Sequence, residues 1–179
     1  SQIMNPLVQL FLNFSMGLSA LGVYAIANSI ASAATGGAKS IMNPVVMKIA
    51  KKEKEEHSKT TLKVIPITIL LGIFLYGIFY LLIHYLGPYI VDEKYSESIY
   101  YAKILLLSVV FSPLYSVLKA NVLYEKNNKA YAISTYVNQA LQLIGYFLFI
   151  PKYGILSIGY TNLLSFAVSI IIIIRYVKL

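Results

Sequence analysis

The sequence predicts an all-α fold, a polytopic membrane helix bundle with about six transmembrane helices. Hydrophobic residues make up 58% of the 179 residues and charged residues only 12%, with a mean hydropathy of +0.70. A soluble domain is about half apolar and a quarter charged. The apolar residues come in blocks of about 20 to 25, each long enough as a helix to cross about 30 Å of hydrocarbon. This repetition excludes a single membrane anchor.

Prolines, glycines and charged loops divide the apolar blocks into six predicted helices. Their approximate bounds are 3–18, 20–49, 61–86, 98–123, 129–149 and 154–177. Gly87 and Pro88 are expected to end the third helix, and Pro151 with Gly154 to form the turn between the last two. Pro113 falls inside the fourth helix and is expected to kink it.

The positions of the Lys and Arg residues predict the orientation. Residues 48–63, 119–129 and 175–179 are basic, whereas the loop at 87–98 is net acidic. Because cations are retained on the cytoplasmic side, both chain ends are predicted to be cytoplasmic in a multi-pass plasma-membrane protein. The chain opens on SQIMNP without an initiator Met, so we interpret residues 1–179 as a single transmembrane lobe from a longer protein.

Several classes of function are disfavoured by the composition. No cysteine is present, which excludes a disulfide framework and a thiolate metal site. The net charge of +8 lies between the apolar blocks rather than on a solvated face, so no nucleic-acid partner is expected. All acidic residues lie in or beside loops, and His57 and His84 are isolated, so no acid–base pair or metal site is expected in the spans. We therefore expect no enzyme, no cofactor and no metal.

Polar residues recur at helical spacing on three predicted helices. The first carries Gln2, Asn5, Gln9 and Asn13, the second Asn28, Ser32, Thr35, Lys39 and Asn43, and the fifth Thr135, Asn138 and Gln142. A helix facing only lipid needs no amides, so these stripes mark the sides turned inward. They either bond helices together, at about 0.5 to 2 kcal/mol per bond, or line a wet cavity. We favour the cavity, with all but Gln2 and Asn5 as candidate substrate contacts.

Lys39 is the lysine on a cavity-type stripe. With Leu18 at the outer boundary, Lys39 lies about 30 Å away, at the inner boundary, as a plain interfacial lysine. If Lys48 instead marks the inner boundary, Lys39 lies about 13 Å inside, a position that costs about 2.5 to 3.5 kcal/mol unless water reaches it. We favour a water-exposed Lys39 near the cytoplasmic mouth. Lys103 and Lys119 lie near helix ends, where snorkelling to the headgroups is expected.

Two segments resemble the polysaccharide flippases of the MOP superfamily, the Wzx-type flippases of O-antigen and capsule repeat units. Residues 21–53 are similar to the Gly-x-Tyr-x-x-Ala helix that opens each repeat of these proteins. Residues 123–166 are similar to their penultimate helix pair, with its Pro-x-Tyr-Gly outer turn. The matching positions are Gly22, Tyr24, Ala27, Pro44, Asn128, Lys129, Asn138, Pro151, Tyr153, Gly154 and Gly159.

The resemblance implies the second of two six-helix lobes around a central cavity, with an N-terminal lobe as partner. It further implies movement of undecaprenyl-pyrophosphate-linked oligosaccharide through the bilayer by alternating access, for cell-surface polysaccharide biosynthesis, with cavity cations on the pyrophosphate. Lys39 is the first candidate for that role, because its ammonium suits a phosphate as a hydrated point charge. Many such flippases have cavity arginines, whereas the only arginine here, Arg175, lies at the end of the last helix.

Two other functions stay open. A multidrug or cation antiporter of the same superfamily needs a membrane-embedded carboxylate, and none lies in the predicted spans. A membrane-embedded glycan polymerase or scaffold subunit would be expected to carry acidic residues in a larger outer loop, where only Asp92, Glu93 and Glu97 qualify.

Overall fold

The computed structural model describes the backbone of residues 4–50, 54–124 and 126–176, and the side chains there except at 4, 43, 45–50, 54–64, 121, 124 and 176. The helices are α1 Met4–Ala50, α2 Lys54–Ile90, α3 Glu97–Leu105, α4 Ser108–Tyr124, α5 Asn128–Tyr153 and α6 Ile155–Tyr176. A short 3₁₀ turn, Glu93–Tyr95, lies between α2 and α3. No strand occurs in the described ranges, and the predicted all-α class is confirmed.

Helix α1 reverses direction at Gly17. This residue has φ +83° and ψ −179°, a conformation that essentially only glycine adopts. The Tyr24 hydroxyl donates to Asn5 Oδ1 at 3.2 Å, although 19 residues separate the two, about 28 Å along a straight helix. The two arms of α1, residues 4–16 and 18–50, therefore run antiparallel, where the sequence predicts its first two helices.

The predicted fourth helix is interrupted at Leu106 and Leu107, and Pro113 lies inside its second part. The Leu107 N–H donates to the Ile104 carbonyl at 3.2 Å, a tighter turn than the α-helix makes. Gly72 of α2 lies against the first turn of α4, directly after this interruption, since a Cβ there would be 3.0 Å from Val110 Cα. The interruption thus coincides with a close approach of the α2 and α4 backbones, whereas α4 continues through Pro113.

Two predicted helix ends lie farther along the chain than expected. Helix α2 continues through Pro88 to Ile90, and α5 continues through Pro151 to Tyr153. A proline removes one N–H near the end of a helix without abolishing the bonds of the turns before it. Gly154, at φ +59°, ends α5, as glycine with a positive φ commonly does.

In the described part of the chain, four helical stretches are long and apolar enough to cross a membrane. They are Asn5–Met42, Ile65–Ile90, Glu97–Ala120 and Ile155–Arg175. The first of these contains both arms of α1, and α5 is less apolar because it carries the polar stripe. Large side chains such as Phe14 and Leu70 are 82% and 75% exposed, as expected for surfaces that face lipid tails. The chain is a multi-pass membrane helix bundle.

The main core lies between the second arm of α1 and its neighbours α3, α4 and α5. Ala27, Ala31, Ala34 and Ala38 form the buried face of this arm, each at most 4% exposed. Small side chains allow close approach of neighbouring helices. The adjacent polar face of the same arm is thereby held toward the interior of the bundle.

Candidate substrate cavity

A polar cavity of about 690 Å³ lies between the two arms of α1, the α3–α4 turn, α5 and α6. Its polar lining residues are Asn5, Tyr24, Asn28, Ser32, Thr35, Lys39, Ser108, Ser112, Gln142, Tyr146 and Asn162. This volume falls within the range of about 300 to 1,000 Å³ typical of small-molecule sites. The bundle therefore has room for a polar ligand inside a membrane-embedded fold.

The second arm of α1 contributes the longest wall of the cavity. Asn28, Ser32, Thr35 and Lys39, spaced by three or four residues, all line it, as the sequence predicts. The side chain of Asn43, the last member of that stripe, lies outside the described residues. Tyr24 and Lys39 are 15 residues apart, so this wall is about 22 Å long.

Lys39 marks one end of the cavity and is solvent-exposed. It is the only charged side chain among the described residues that line the cavity. Nearby on the same wall, the Thr35 hydroxyl donates to the Ala31 carbonyl at 2.7 Å and lies 3.3 Å from the Ser108 hydroxyl. Since the Thr35 proton is already used, Ser108 is the donor in that pair and ties α4 to α1.

The other end of the cavity is neutral and has two tyrosine–amide pairs. The Tyr24 hydroxyl donates to Asn5, and the Tyr146 hydroxyl donates to Asn162 Oδ1. Both tyrosines are only 3% exposed, so their hydroxyls are fixed by these bonds. The cavity therefore has a cationic end and an uncharged end rich in hydrogen-bonding groups.

Of the three candidates on α5, only Gln142 lines the cavity. Asn138 lies behind it, 8% exposed, and its Oδ1 accepts from Gln142 Nε2 at 3.1 Å. Asn138 Nδ2 is buried without a partner among the described residues. The Thr135 hydroxyl donates to the Tyr131 carbonyl of its own helix.

Gln9 and Asn13 are exposed and do not line the cavity of this chain. Val8 and Leu12 are buried instead, with Asn5 beside them at the cavity. On a helix, Val8 and Leu12 lie about 60° and 20° to one side of Asn5, and Gln9 and Asn13 about 40° and 80° to the other. The inward face of the first arm therefore follows Asn5, Val8 and Leu12.

Two further lysines lie outside the cavity and contact aromatic rings. Lys103 Nζ is 3.2 Å from His84 Nδ1 and 5.1 Å from the centre of the Tyr80 ring. Lys119 Nζ lies 4.2 Å from the centre of the Tyr131 ring. Cation–π contacts of this kind hold a lysine in place, so neither residue competes with Lys39 as a cavity cation.

Sequence reasoning did not select Asn5, Tyr24, Ser108, Ser112, Tyr146 or Asn162 as site residues. Three of them, Asn5, Tyr24 and Tyr146, lie on helices whose polar stripes the sequence does show. Asn162 had a usable signal, because Asn162, Ser165 and Ser169 recur at helical spacing on α6. The position of Ser108 depends on the α3–α4 turn, and no pattern in the sequence indicated it.

No cluster of three metal-ligating side chains occurs in the part of the chain that the structure describes. The acidic side chains described are those of Asp92, Glu93 and Glu97, all exposed at the 3₁₀ turn and the start of α3. None of them lines the cavity. The described cavity surface thus carries positive but no negative charge.

The fold is similar to that of two solved transporters. One is a MOP superfamily transporter from Pyrococcus furiosus, reported to have a binding pocket of reverse polarity that suggests a different function. Its TM-score is 0.73 at 17% sequence identity, with 99% of this chain and 41% of that protein covered. The other is a multidrug resistance MATE family transporter of the MOP superfamily in an outward-facing conformation, with a TM-score of 0.72, 17% identity and the same two coverages, 99% and 41%.

The chain spans about two fifths of the length of these transporters. No protein-family model and no curated protein sequence matches it. The similarity in structure extends over nearly the whole chain, from the first arm of α1 to α6. The chain therefore has the fold of one lobe of a MOP-type transporter.

Proposed function

We propose that this chain is one lobe of a flippase that moves lipid-linked oligosaccharide across the plasma membrane by alternating access, for cell-surface polysaccharide biosynthesis. The observation that carries the proposal is the lining of the cavity. Among its described residues, hydroxyls, amides and phenols surround a single charged side chain, Lys39.

The head of an undecaprenyl-pyrophosphate-linked oligosaccharide combines an anionic pyrophosphate with a sugar rich in hydroxyls. Lys39 supplies a cation at one end of the cavity, with the hydroxyl groups of Thr35, Ser108 and Ser112 on the adjoining walls. The opposite end supplies neutral donors and acceptors, which suit sugar hydroxyls. We assign the pyrophosphate to the Lys39 end, which is predicted to face the cytoplasm.

The fold does not decide the substrate, because the same fold supports different functions. One of the two similar transporters is a multidrug transporter, and the other is reported to have a binding pocket of reverse polarity. The chemistry of the lining must therefore distinguish the candidates. A cationic cavity repels cationic drugs and attracts phosphates.

A multidrug or cation antiporter is the second candidate, favoured by the similarity to a MATE family transporter. Such a protein would need a carboxylate in the membrane for its cation or coupling ion. None lines the described part of the cavity, so for this candidate we propose that a second lobe supplies the carboxylate. For the flippase, we propose that an N-terminal lobe closes the cavity and adds further cations.

Reconstitution separates the two candidates. The full-length protein in liposomes is expected to move fluorescent undecaprenyl-pyrophosphate-linked oligosaccharide between leaflets, measured by the loss of protection from a membrane-impermeant quencher. Efflux of a cationic dye driven by a proton or sodium gradient serves as the parallel assay. Dye efflux without lipid movement across several sugar repeats would contradict the flippase and support the antiporter.

A further inference from the structure

The hydrogen bonds around Gln142 determine which end of its side-chain amide remains free. Gln142 Nε2 donates to Asn138 Oδ1 at 3.1 Å and to Ser165 Oγ at 3.2 Å. The Ser165 hydroxyl donates its own proton to the Asn162 carbonyl at 2.9 Å. Ser165 is fully buried, so its hydroxyl is not shared with solvent.

An amide nitrogen carries two protons, whereas the amide oxygen only accepts. With the Ser165 proton bound to Asn162, Ser165 Oγ accepts from Gln142 Nε2. The second Gln142 proton is bound to Asn138. A flipped Gln142 amide would have to take the Ser165 proton from the Asn162 carbonyl and would require Asn138 to flip as well, so the three hydrogen bonds would become two.

Both donors of Gln142 are therefore used by the α5–α6 interface. Gln142 Oε1 has no partner among the described residues, and Gln142 lines the cavity. The orientations of the other cavity amides are not fixed in this way. Asn162, for example, accepts from the Tyr146 hydroxyl, and that pair would also bond with the two roles exchanged.

We infer that Gln142 determines specificity by presenting a fixed hydrogen-bond acceptor to the uncharged part of the substrate, and that Ser165 positions it. This inference rests on the proposed function and names the part of the substrate concerned, a sugar hydroxyl or amide N–H. An acceptor that becomes a donor only by losing a hydrogen bond discriminates against a substrate lacking the matching donor, because the acceptor would then be unpaired.

Lys39 and Gln142 serve two different parts of one substrate. Lys39 acts on the pyrophosphate, so its removal weakens every lipid pyrophosphate. Gln142 acts on the sugar, so its removal weakens only a lipid that carries one. The difference between the two lipids is therefore the measured quantity, and a general loss of folding does not produce it.

The test measures binding of two lipids to the full-length protein in nanodiscs: undecaprenyl pyrophosphate and undecaprenyl pyrophosphate bearing one N-acetylglucosamine. Wild type is expected to bind the sugar-bearing lipid more tightly. Gln142→Met keeps the length of the side chain and is expected to weaken only that lipid, by about tenfold, the effect of one hydrogen bond. Ser165→Ala frees the amide to rotate and should weaken the same lipid by about threefold.

Ser169→Ala is the matched control. Ser169 is equally buried on α6, but its hydroxyl donates to the Ser165 carbonyl and does not contact Gln142. Ser169→Ala should leave the ratio of the two affinities unchanged. Ser165→Thr keeps the hydroxyl, so it should have the wild-type ratio that Ser165→Ala loses.

Three results would overturn the inference. If wild type binds both lipids equally, or if Gln142→Met and Ser165→Ala weaken both equally, Gln142 does not recognise the sugar and the proposed function still stands. If wild type binds neither lipid, the inference and the proposed function fail together.

Discussion

Replacing Gly145 with alanine should force α5 and α6 apart. A Cβ at position 145 would lie 2.3 Å from Thr161 Cγ2, 2.9 Å from Thr161 Oγ1 and 3.2 Å from Thr161 Cβ. Ordinary contacts between carbon atoms need about 3.5 Å, so the helices must separate by about 1.2 Å or Thr161 must rotate. Rotation alone does not relieve the contact with Thr161 Cβ, and Thr161 is only 6% exposed.

The expected cost is about 1 to 3 kcal/mol of unfolding free energy, as for other overpacked interiors. Separation of the two helices also lengthens the 3.2 Å bond between Gln142 and Ser165 beyond hydrogen-bonding range. Gly145→Ala should therefore reduce both stability and sugar discrimination. Unfolding of the full-length protein in mixed micelles by SDS, followed by circular dichroism, gives the first quantity.

The double variant Gly145→Ala with Thr161→Ala tests the cause. It removes both of the closest atoms and leaves only the 3.2 Å contact, so most of the stability lost in the single variant should return. A single variant as stable as wild type, or a double variant no more stable than the single, would refute the packing described for α5 and α6.

Two further predictions concern stability alone. Gly17→Ala should cost about 1 to 3 kcal/mol by backbone strain, because no atom lies within 4 Å to clash. Gly77 lies within helix α2 and also has no atom within 4 Å of the place where a Cβ would lie, so Gly77→Ala should instead stabilise the protein by up to about 1 kcal/mol. If the two variants change the free energy of unfolding equally in the same SDS titration, backbone strain at Gly17 does not explain the reversal of α1. Lys119→Met and Tyr131→Leu each remove the cation–π contact and should each lower the free energy of unfolding by about 0.5 to 2 kcal/mol. The double variant should be little less stable than either single variant. Fully additive losses would show that the contact contributes nothing.

The cavity wall on the second arm of α1 was predictable from the sequence. Asn28, Ser32, Thr35 and Lys39 lie on one face of a long helix, so their spacing alone places them together. The inward face of the first arm was harder to predict, because its polar residues lie at successively different angles around the helix. Spacing alone cannot decide which side of such a stripe faces inward. Val8 is buried, so the side that carries Asn5 faces the cavity.

The helix interruptions depend on contacts between distant parts of the chain. Leu106 and Leu107 are good helix formers, and nothing local marks them as a break. The helix that restarts after them contacts Gly72, more than 30 residues earlier, and its first residue, Ser108, lines the cavity. Pro113, the residue with the strongest local signal, lies inside a continuous α4. Sequence patterns thus located the helices better than the turns that shape the site.

The role of Lys39 tests the central claim most directly. The measurement is the rate at which the full-length protein in liposomes moves undecaprenyl-pyrophosphate-linked oligosaccharide between leaflets. Lys39→Ala should lower this rate at least tenfold, the loss expected for a charge-assisted bond of about 1.5 to 3 kcal/mol. Lys39→Arg should retain most of the rate, because it keeps the positive charge.

Lys103→Ala is the matched control, since Lys103 contacts His84 and Tyr80 outside the cavity. It should transport as wild type does, and all three variants should insert into the membrane equally. Full transport by Lys39→Ala, or the same loss in Lys103→Ala, would contradict a cationic cavity that binds the pyrophosphate through Lys39.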